Sequence, residues 1–129
     1  MSGEHPGADF AAWWLMARRL AHEMLGPEGG ADPPWYILLD LYRAQAVGRK
    51  VQITSLPPMI GATHSTAGRW TRRLIDQGLL VSIDDPADRR RSYVDVSPDT
   101  SELMRRFFAT LGAKGVPPSI EGGPRDGAS

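Results

Sequence analysis

The chain has 129 residues, enough for one domain with a hydrophobic core, and it contains 15 Lys or Arg, 15 Asp or Glu and no Cys. The lack of Cys excludes disulfides, thiolate zinc sites, iron–sulfur clusters and thiol redox sensing. No stretch approaches the roughly 18–20 continuous apolar residues of a membrane helix, and the polar N-terminus lacks the pattern of a secretory signal. We therefore expect a single domain that acts in the cytoplasm, with no membrane partner.

Apolar residues at helical spacing predict a first helix from Asp9 to about Leu25, after a flexible lead over residues 1–8. The Gly- and Pro-rich run 26–34 should end it. A second helix is predicted from Pro34 to about Val47, and its expected buried residues are Trp35, Leu38, Leu39, Tyr42 and Ala46. These two helices would form the apolar body of the domain.

The middle of the chain predicts a helix, a short turn and a second helix. A short strand over 51–53 precedes the N-cap Thr54, a helix over 55–60 and a turn at 61–62. Thr63 is a second N-cap and starts a helix to about residue 77. We call this second helix the recognition helix, because paired helices of this length are typical of the helix-turn-helix.

Two apolar strands, over 79–83 and 92–96, flank the turn DDPADRR and predict a β-hairpin with a charged tip, called the wing below. Ser97 should cap a last helix that runs to about Leu111. Residues 112–129 are rich in Gly, Pro and Ser, and we expect them to be disordered. The order of elements predicts a mainly α fold with a small β-hairpin wing, a winged helix-turn-helix.

The charge pattern suggests a polyanionic partner, double-stranded DNA. Between residues 49 and 91 lie eight Lys or Arg and four Asp, although the whole chain is neutral. The N-terminal part of a recognition helix reads base edges in the major groove, which here selects Thr63, His64, Ser65, Thr66 and Arg69. Arg72 and Arg73 are expected at backbone phosphates. The alternative is a solvated surface with an ion pair to Asp76, and an ordinary capping role for Thr63.

The tip of the wing carries three successive arginines, Arg89, Arg90 and Arg91. An arginine there can enter a minor groove, where a narrow groove deepens the negative potential. Asp88 can orient it by hydrogen bonding. The alternative is a solvated turn.

These residues resemble the multiple-antibiotic-resistance regulator (MarR) family of winged-helix repressors. The segment 85–97, DPADRRRSYVDVS, is similar to that family's wing pattern, Asp-Pro-x-Asp-Arg-Arg followed by Val-x-Leu-Thr. The helix-turn-helix pattern is matched by Leu56, Gly61, Thr63, Arg69, Leu74, Gly78 and Leu79. With the flanking helices the resemblance covers about residues 9–111, of which about 51–97 would form the DNA-binding lobe.

The resemblance implies a homodimer on a palindromic operator, with Arg90 in the minor groove, Asp88 as its support, and an effector site between the dimerisation helices and the DNA-binding lobe. This chain departs from the family in three places. Glycines and prolines after residue 111 shorten the C-terminal region, so that dimerisation would depend on the first helix and on Phe107, Phe108 and Leu111. Pro57 and Pro58 are unusual in the first helix of the pair, and Gly68 lies inside the recognition helix.

Aromatic residues of the first two helices could line a pocket for a flat apolar or phenolic effector, and the candidates are Trp13, Trp14, Trp35 and Tyr36. Core and dimer packing is the alternative. The three His are too far apart for a metal motif, and no phosphate loop or nucleophile elbow is present. We expect no enzymatic activity, no cofactor and no metal.

The sequence thus predicts a sequence-specific, homodimeric DNA-binding regulator, a repressor that a small molecule releases. The alternative is a winged-helix protein-interaction module without DNA binding. A third class, a small-molecule-binding or catalytic domain, would bind its ligand without any effect on DNA.

Overall fold

The structure is a computed structural model that describes residues 5–52, 64–115 and 117–118. It contains helices α1 (Ala8–Gly29), α2 (Pro34–Ala46), α3 (His64–Asp76) and α4 (Pro98–Ala113). The strands are β1 (Val51–Gln52), β2 (Leu80–Asp84) and β3 (Ser92–Val96). The predicted helix over 55–60, the turn at 61–62 and the caps Thr54 and Thr63 lie outside the described residues.

Helix α1 does not end where the sequence predicted. Gly26 has φ 84° and ψ 172°, outside the helical region, yet the helix resumes after it and ends at Gly29. The run 26–34 ends the helix as predicted, but a few residues later than expected, because Gly26 bends the helix before it stops. Pro27 is tolerated because it stands at the start of the new turn, where a missing N–H is not needed.

Helix α2 buries its apolar face against the rest of the domain. Trp35 and Leu38 are buried as predicted, Leu39 and Tyr42 are half-buried, and Ala46 is exposed, contrary to the prediction. Ile37, Leu41 and Ala44 complete the buried face instead. Ala46 lies about 200° round the helix from Ala44, at about 100° per residue, and therefore faces solvent.

The three strands form an antiparallel sheet in the order β1-β3-β2. The predicted hairpin is confirmed, with Leu80 opposite Val96 and Asp84 opposite Ser92. Val94 and Val96 are buried, while Tyr93 and Asp95 on the other face are half-buried, because side chains alternate along a strand. The sequence did not indicate that β1 pairs with β3.

Helix α4 begins as predicted and ends later than predicted. Ser97 is its N-cap and accepts a hydrogen bond from the Thr100 backbone N–H at 3.1 Å. The helix continues to Ala113, so residues 112 and 113 are helical and not part of a disordered tail. The remaining boundaries of the predicted flexible ends stay predictions.

The core joins α1, α2, α4 and the sheet, and its fully buried side chains include Ile37, Leu38, Leu80, Met104 and Phe107. Four helices and a small antiparallel sheet confirm the predicted mainly α fold with a β wing. Within 5–52, 64–115 and 117–118, no helix combines the length and the apolar character needed to cross a membrane.

Candidate nucleic-acid interface

Helix α3, the predicted recognition helix, presents a basic face to solvent because its opposite face is fixed in the core. Ala67, Thr71 and Leu74 recur at helical spacing and are buried. The Thr71 hydroxyl donates to the Ala67 carbonyl oxygen at 2.8 Å, which satisfies its buried hydroxyl within the helix. Arg69 and Arg72 are exposed on the other side. These arginines are therefore available to a partner outside the domain.

The start of α3 holds the predicted base-reading residues. His64 and Ser65 lie in its first turn, and Thr63 lies outside the described residues. Thr66 is half-buried, and its Oγ1 lies 3.5 Å from the Arg69 Nη2, one turn further along the helix. This contact lies within α3 and leaves Arg69 exposed, on the same face of the helix as Thr66.

Arg73 pairs with an acidic residue other than Asp76, and its contact with a DNA phosphate stays a prediction. Its Nη2 forms an ion pair with the Glu28 carboxylate of α1, and its guanidinium lies 5.2 Å from the centre of the Trp70 ring. No ion pair to Asp76 occurs in the part of the chain that the structure describes. The sequence could not show the Glu28 contact, because the partner lies in a distant Gly- and Pro-rich run.

The wing ends in a turn built by two aspartates. Asp85 accepts from the Ala87 backbone N–H at 2.8 Å and from the Tyr93 hydroxyl at 3.2 Å. Asp88 Oδ1 accepts from the Arg90 backbone N–H at 3.0 Å and from the Arg90 Nε at 3.2 Å. The Arg91 Nε lies 3.4 Å from Asp88 Oδ2. The tip is thus a defined turn in which Asp88 binds the arginines Arg90 and Arg91.

These contacts favour the ionised aspartates. The side-chain hydrogen bond from Arg90 lowers the pKa of Asp88 below its ordinary value, and the backbone N–H of Ala87 lowers the pKa of Asp85. The hydrogen bond to Asp85 raises the pKa of Tyr93. Both carboxylates therefore stay charged, and Tyr93 stays a neutral donor, at any physiological pH.

The three arginines of the tip differ in how far they extend. The Arg90 side chain is 90% exposed although Asp88 holds it at Nε, while that of Arg91 is 50% exposed. Arg89 is exposed as well. The structure thus places Asp88 and Arg90 in hydrogen-bond contact, as the sequence suggested. Arg90 Nη2 also lies 3.5 Å from Asp88 Oδ2, and the Arg90 side chain stays exposed as a whole.

A cavity of about 160 Å³ lies between α1, α2 and α4. It is lined by Trp13, Trp14, Ala17, Arg18, Trp35, Leu39, Phe107, Phe108 and Leu111. Three of the four predicted effector residues meet there, and Tyr36 is not among the lining residues. The sequence missed Arg18, although its spacing of four residues from Trp14 on one helix was a usable signal.

Of the described residues in the wall of this apolar cavity, Arg18 is the one that is charged. Its Nη2 donates to the Gly30 carbonyl oxygen at 2.8 Å and to Asp32 Oδ1 at 3.2 Å. Its Nε is buried and has no hydrogen-bond partner among the described residues. A buried donor without a partner carries a free-energy cost, which a bound acceptor would relieve. Elsewhere in the described ranges, no group of three or more His, Asp or Glu could hold a metal ion.

No protein-family model and no curated protein matches this sequence. Solved structures do match it in fold. The transcriptional regulator Tm0710 from Thermotoga maritima is 19% identical, with 81% of this chain and 70% of that chain covered and a TM-score of 0.57. A MepR mutant from a multidrug-resistant S. aureus clinical isolate is 16% identical, with 81% and 76% covered and a TM-score of 0.61.

A MarR variant from E. coli, solved in complex with operator DNA, is 17% identical, with 81% of this chain and 71% of that chain covered and a TM-score of 0.53. At such identities the likeness concerns the fold. The elements agree: helices on either side of a recognition helix, followed by a two-stranded wing. The chain has the winged-helix fold of MarR-family transcriptional regulators.

Proposed function

We propose that this protein is a DNA-binding transcription regulator that inserts α3 into a major groove and the wing tip into an adjacent minor groove. The observation that carries the proposal is the pairing of Asp88 with Arg90, which extends a 90% exposed arginine from a structured turn. An isolated solvated turn needs no such support. The exposed Arg69 and Arg72 of α3 would supply base and phosphate contacts.

The natural test is a titration of the protein with DNA fragments from upstream of its own gene, at two salt concentrations. We expect the affinity to fall steeply with salt, because each neutralised phosphate adds about 0.9 to the slope of log affinity against log salt. Arg90→Ala should weaken operator binding by roughly tenfold or more. Arg105→Ala, which removes an exposed arginine from α4, is the matched control and should change little.

The proposal would be contradicted if the wild-type protein bound none of the fragments and a genome-wide selection also found no sequence that it binds. The alternative, a winged-helix module that binds another protein, would then gain support from a salt-insensitive complex. A wild-type affinity that Arg90→Ala leaves unchanged would exclude the proposed role of the wing.

The regulator would act as a homodimer on a palindromic operator, in the cytoplasm. Trp14, Leu15 and Phe108 are large apolar side chains with exposed fractions of 49%, 59% and 38%. Trp14 and Phe108 both line the cavity between α1 and α4, so that they belong to one region of the surface. A second copy of the chain would cover it. Phe107, which the sequence assigned to dimerisation, is only 1% exposed and packs in the core.

The cavity between α1, α2 and α4 would bind the effector that releases the DNA. Its walls are aromatic and apolar, and Arg18, whose Nε is buried without a partner among the described residues, is its one charged lining residue. At about 160 Å³ it is small for a ligand pocket, which favours a ligand of one ring with an acceptor group. An aromatic carboxylate meets both requirements, because a carboxylate accepts strong hydrogen bonds from a guanidinium.

Benzoate is a suitable probe for this effector site, and benzyl alcohol is its uncharged control. We expect benzoate to quench the tryptophan fluorescence and to weaken operator binding, with benzyl alcohol less effective. Arg18→Met should remove the difference between the two ligands. Equal effects of both ligands on wild-type protein would contradict the assigned role of Arg18.

A further inference from the structure

Glu28 connects the first helix to the recognition helix. Its Oε2 accepts from Arg73 and its Oε1 accepts from Gln77, so that both carboxylate oxygens are used. Arg73 and Gln77 are four residues apart and lie on one side of the same helical segment, one turn from each other. A single carboxylate therefore holds the last turn of α3 at Arg73 and the residue that follows the helix, Gln77.

The fold places Glu28 there through the bend in α1. Gly26 turns the chain at a φ of 84°, and Gly30 then packs directly on the backbone of the preceding turns. A Cβ atom at Gly30 would lie 2.7 Å from the His22 Cα, closer than atoms can approach. The Gly30 N–H also donates to the Gly26 carbonyl oxygen at 3.0 Å. The segment 26–32 is thus folded back on α1 with little free space.

Arg18 holds the far end of this segment. Its Nη2 binds the Gly30 carbonyl oxygen and the Asp32 carboxylate, both of which come after the bend at Gly26. The same side chain lines the cavity, and its Nε is buried without a partner among the described residues. A continuous set of contacts therefore runs from the cavity through Arg18 and Gly30 to Glu28, and from Glu28 to Arg73 on α3.

We propose that Glu28 is a positioning residue for the recognition helix, and that Arg18 controls it by holding the segment 26–32. The inference rests on the proposed function, which assigns DNA to α3 and an effector to the cavity. A ligand acceptor that draws the Arg18 guanidinium into the cavity weakens its bonds to Gly30 and Asp32. The segment then loosens, Glu28 releases Arg73 and Gln77, and α3 loses its fixed orientation.

The test measures amide hydrogen exchange of the protein alone, without DNA or ligand. The variants are Glu28→Gln, Arg18→Met and the double variant, with Glu23→Gln as control. Glu23 is an exposed acid on the same helix with no ion pair among the described residues. We expect amides of α3 to exchange about two- to fivefold faster in each single variant, the size of effect that a partly exposed ion pair produces. Amides of β3 and α4 should be unaffected.

The double variant shows whether the contacts of Arg18 and those of Glu28 are energetically coupled. If Arg18 acts through Glu28, the double variant exchanges no faster than either single variant, whereas independent contacts give multiplied effects. A reversed pair, Glu28→Lys with Arg73→Glu, should restore slow exchange that Glu28→Lys alone loses. Asp32→Asn weakens the contact between Arg18 and the segment 26–32 without changing a residue of the cavity wall. It replaces Arg18→Met if that variant fails to fold.

Exchange in Glu28→Gln equal to that in Glu23→Gln, multiplied effects in the double variant, or no recovery in the reversed pair would each overturn the proposal. None of these results depends on DNA or ligand. A failure of the inference is therefore distinct from a failure of the proposed function, which the DNA titration tests separately.

Discussion

Asp88 and Arg90 are joined twice through one oxygen atom, because Asp88 Oδ1 accepts from both the backbone N–H and the Nε of Arg90. The first bond closes the turn of the wing, and the second directs the guanidinium. The shape of the turn and the direction of the side chain therefore depend on the same carboxylate. An arginine oriented in this way before binding loses less conformational entropy when it enters a groove.

Asp88→Asn tests the charge of this carboxylate. The Asn Oδ1 can still accept from the Arg90 N–H and Nε, but the negative charge is lost, and an NH2 group replaces the Oδ2 that faces Arg90 Nη2 and Arg91 Nε. We expect the wing to stay folded and operator affinity to fall about two- to fivefold, since solvent screens an exposed ion pair. Affinity for unrelated DNA should stay the same or rise, because a negative charge is removed near phosphates.

The measurement is fluorescence anisotropy with an operator duplex and an unrelated duplex. Asp84→Asn removes an equivalent exposed charge from the adjoining strand β2 and is the control. An equal change in operator affinity for both variants would show that charge alone, and not the orientation of Arg90, determines the effect.

The contacts of the wing tip should be insensitive to pH until the medium is acidic. The pKa of Asp88 is lowered from 3.8, first by the side-chain hydrogen bond from Arg90. A lowered folded-state pKa adds stability that is present above the ordinary value and is lost as pH falls through the lowered one. We expect the turn to be unchanged at neutral pH and to loosen only below 3.8.

Carboxyl NMR of Asp88 checks this pH dependence. Its titration midpoint should lie below 3.8 in the wild type and move up in Arg90→Ala. Arg105→Ala removes a distant arginine and should leave the midpoint in place. A wild-type midpoint at or above the ordinary value would mean that Arg90 does not bind the carboxylate in solution.

Much of this fold was predictable because its signals are local. Alternating apolar residues marked β2 and β3, and Ser97 followed by Pro98 marked the start of α4. The wing arginines and Asp88 are close in sequence, so that their contact could be inferred from a short motif. Such features are predictable because each depends on residues within about one turn of the chain and not on distant segments.

The parts that could not be predicted depend on contacts between distant segments. Arg73 faces Glu28, and nothing in either local sequence indicates the other. Gly26 looked like a helix end, because whether a glycine stops a helix or bends it depends on what the next turn packs against. Arg18 was missed in the cavity wall although its spacing from Trp14 was a local signal, because a charged side chain on a helix usually faces solvent.

Truncation of two adjacent phenylalanines of α4 should affect two different quantities, the stability of the monomer and the stability of the dimer. Phe107 is 1% exposed and meets the Trp35 ring edge-on at 5.3 Å, so Phe107→Ala should lower the free energy of unfolding by about 3–5 kcal/mol. Phe108 is 38% exposed, and Phe108→Ala should cost the monomer much less. If Phe108 lies in the dimer interface, its truncation should instead raise the dimer dissociation constant.

Denaturant unfolding and sedimentation at several protein concentrations distinguish these effects. Phe107→Ala should shift the unfolding midpoint and leave the assembly state of the folded fraction unchanged. A dimer that Phe108→Ala does not weaken would exclude this face of α4 from the interface.

Gly30 and Gly112 make a final matched pair, because one is enclosed and the other is open. A Cβ at Gly30 would lie 2.7 Å from the His22 Cα and 2.8 Å from its N, and backbone atoms cannot move aside cheaply. We expect Gly30→Ala to destabilise the protein by about 1–3 kcal/mol. At Gly112, inside α4, an added Cβ would meet no described atom within 4 Å apart from its chain neighbours and the backbone of its own helix, so Gly112→Ala should stabilise by about 0.5–1 kcal/mol through reduced chain entropy.

Denaturant unfolding of both variants gives the two free energies directly. The same samples should show that Gly30→Ala speeds hydrogen exchange in α3, because it displaces the segment that carries Glu28, while Gly112→Ala does not. If Gly30→Ala left the free energy of unfolding unchanged, the segment 26–32 would be free to shift. Such a segment could not hold Glu28 against Arg73, and the proposed role of Glu28 in orienting α3 would be contradicted.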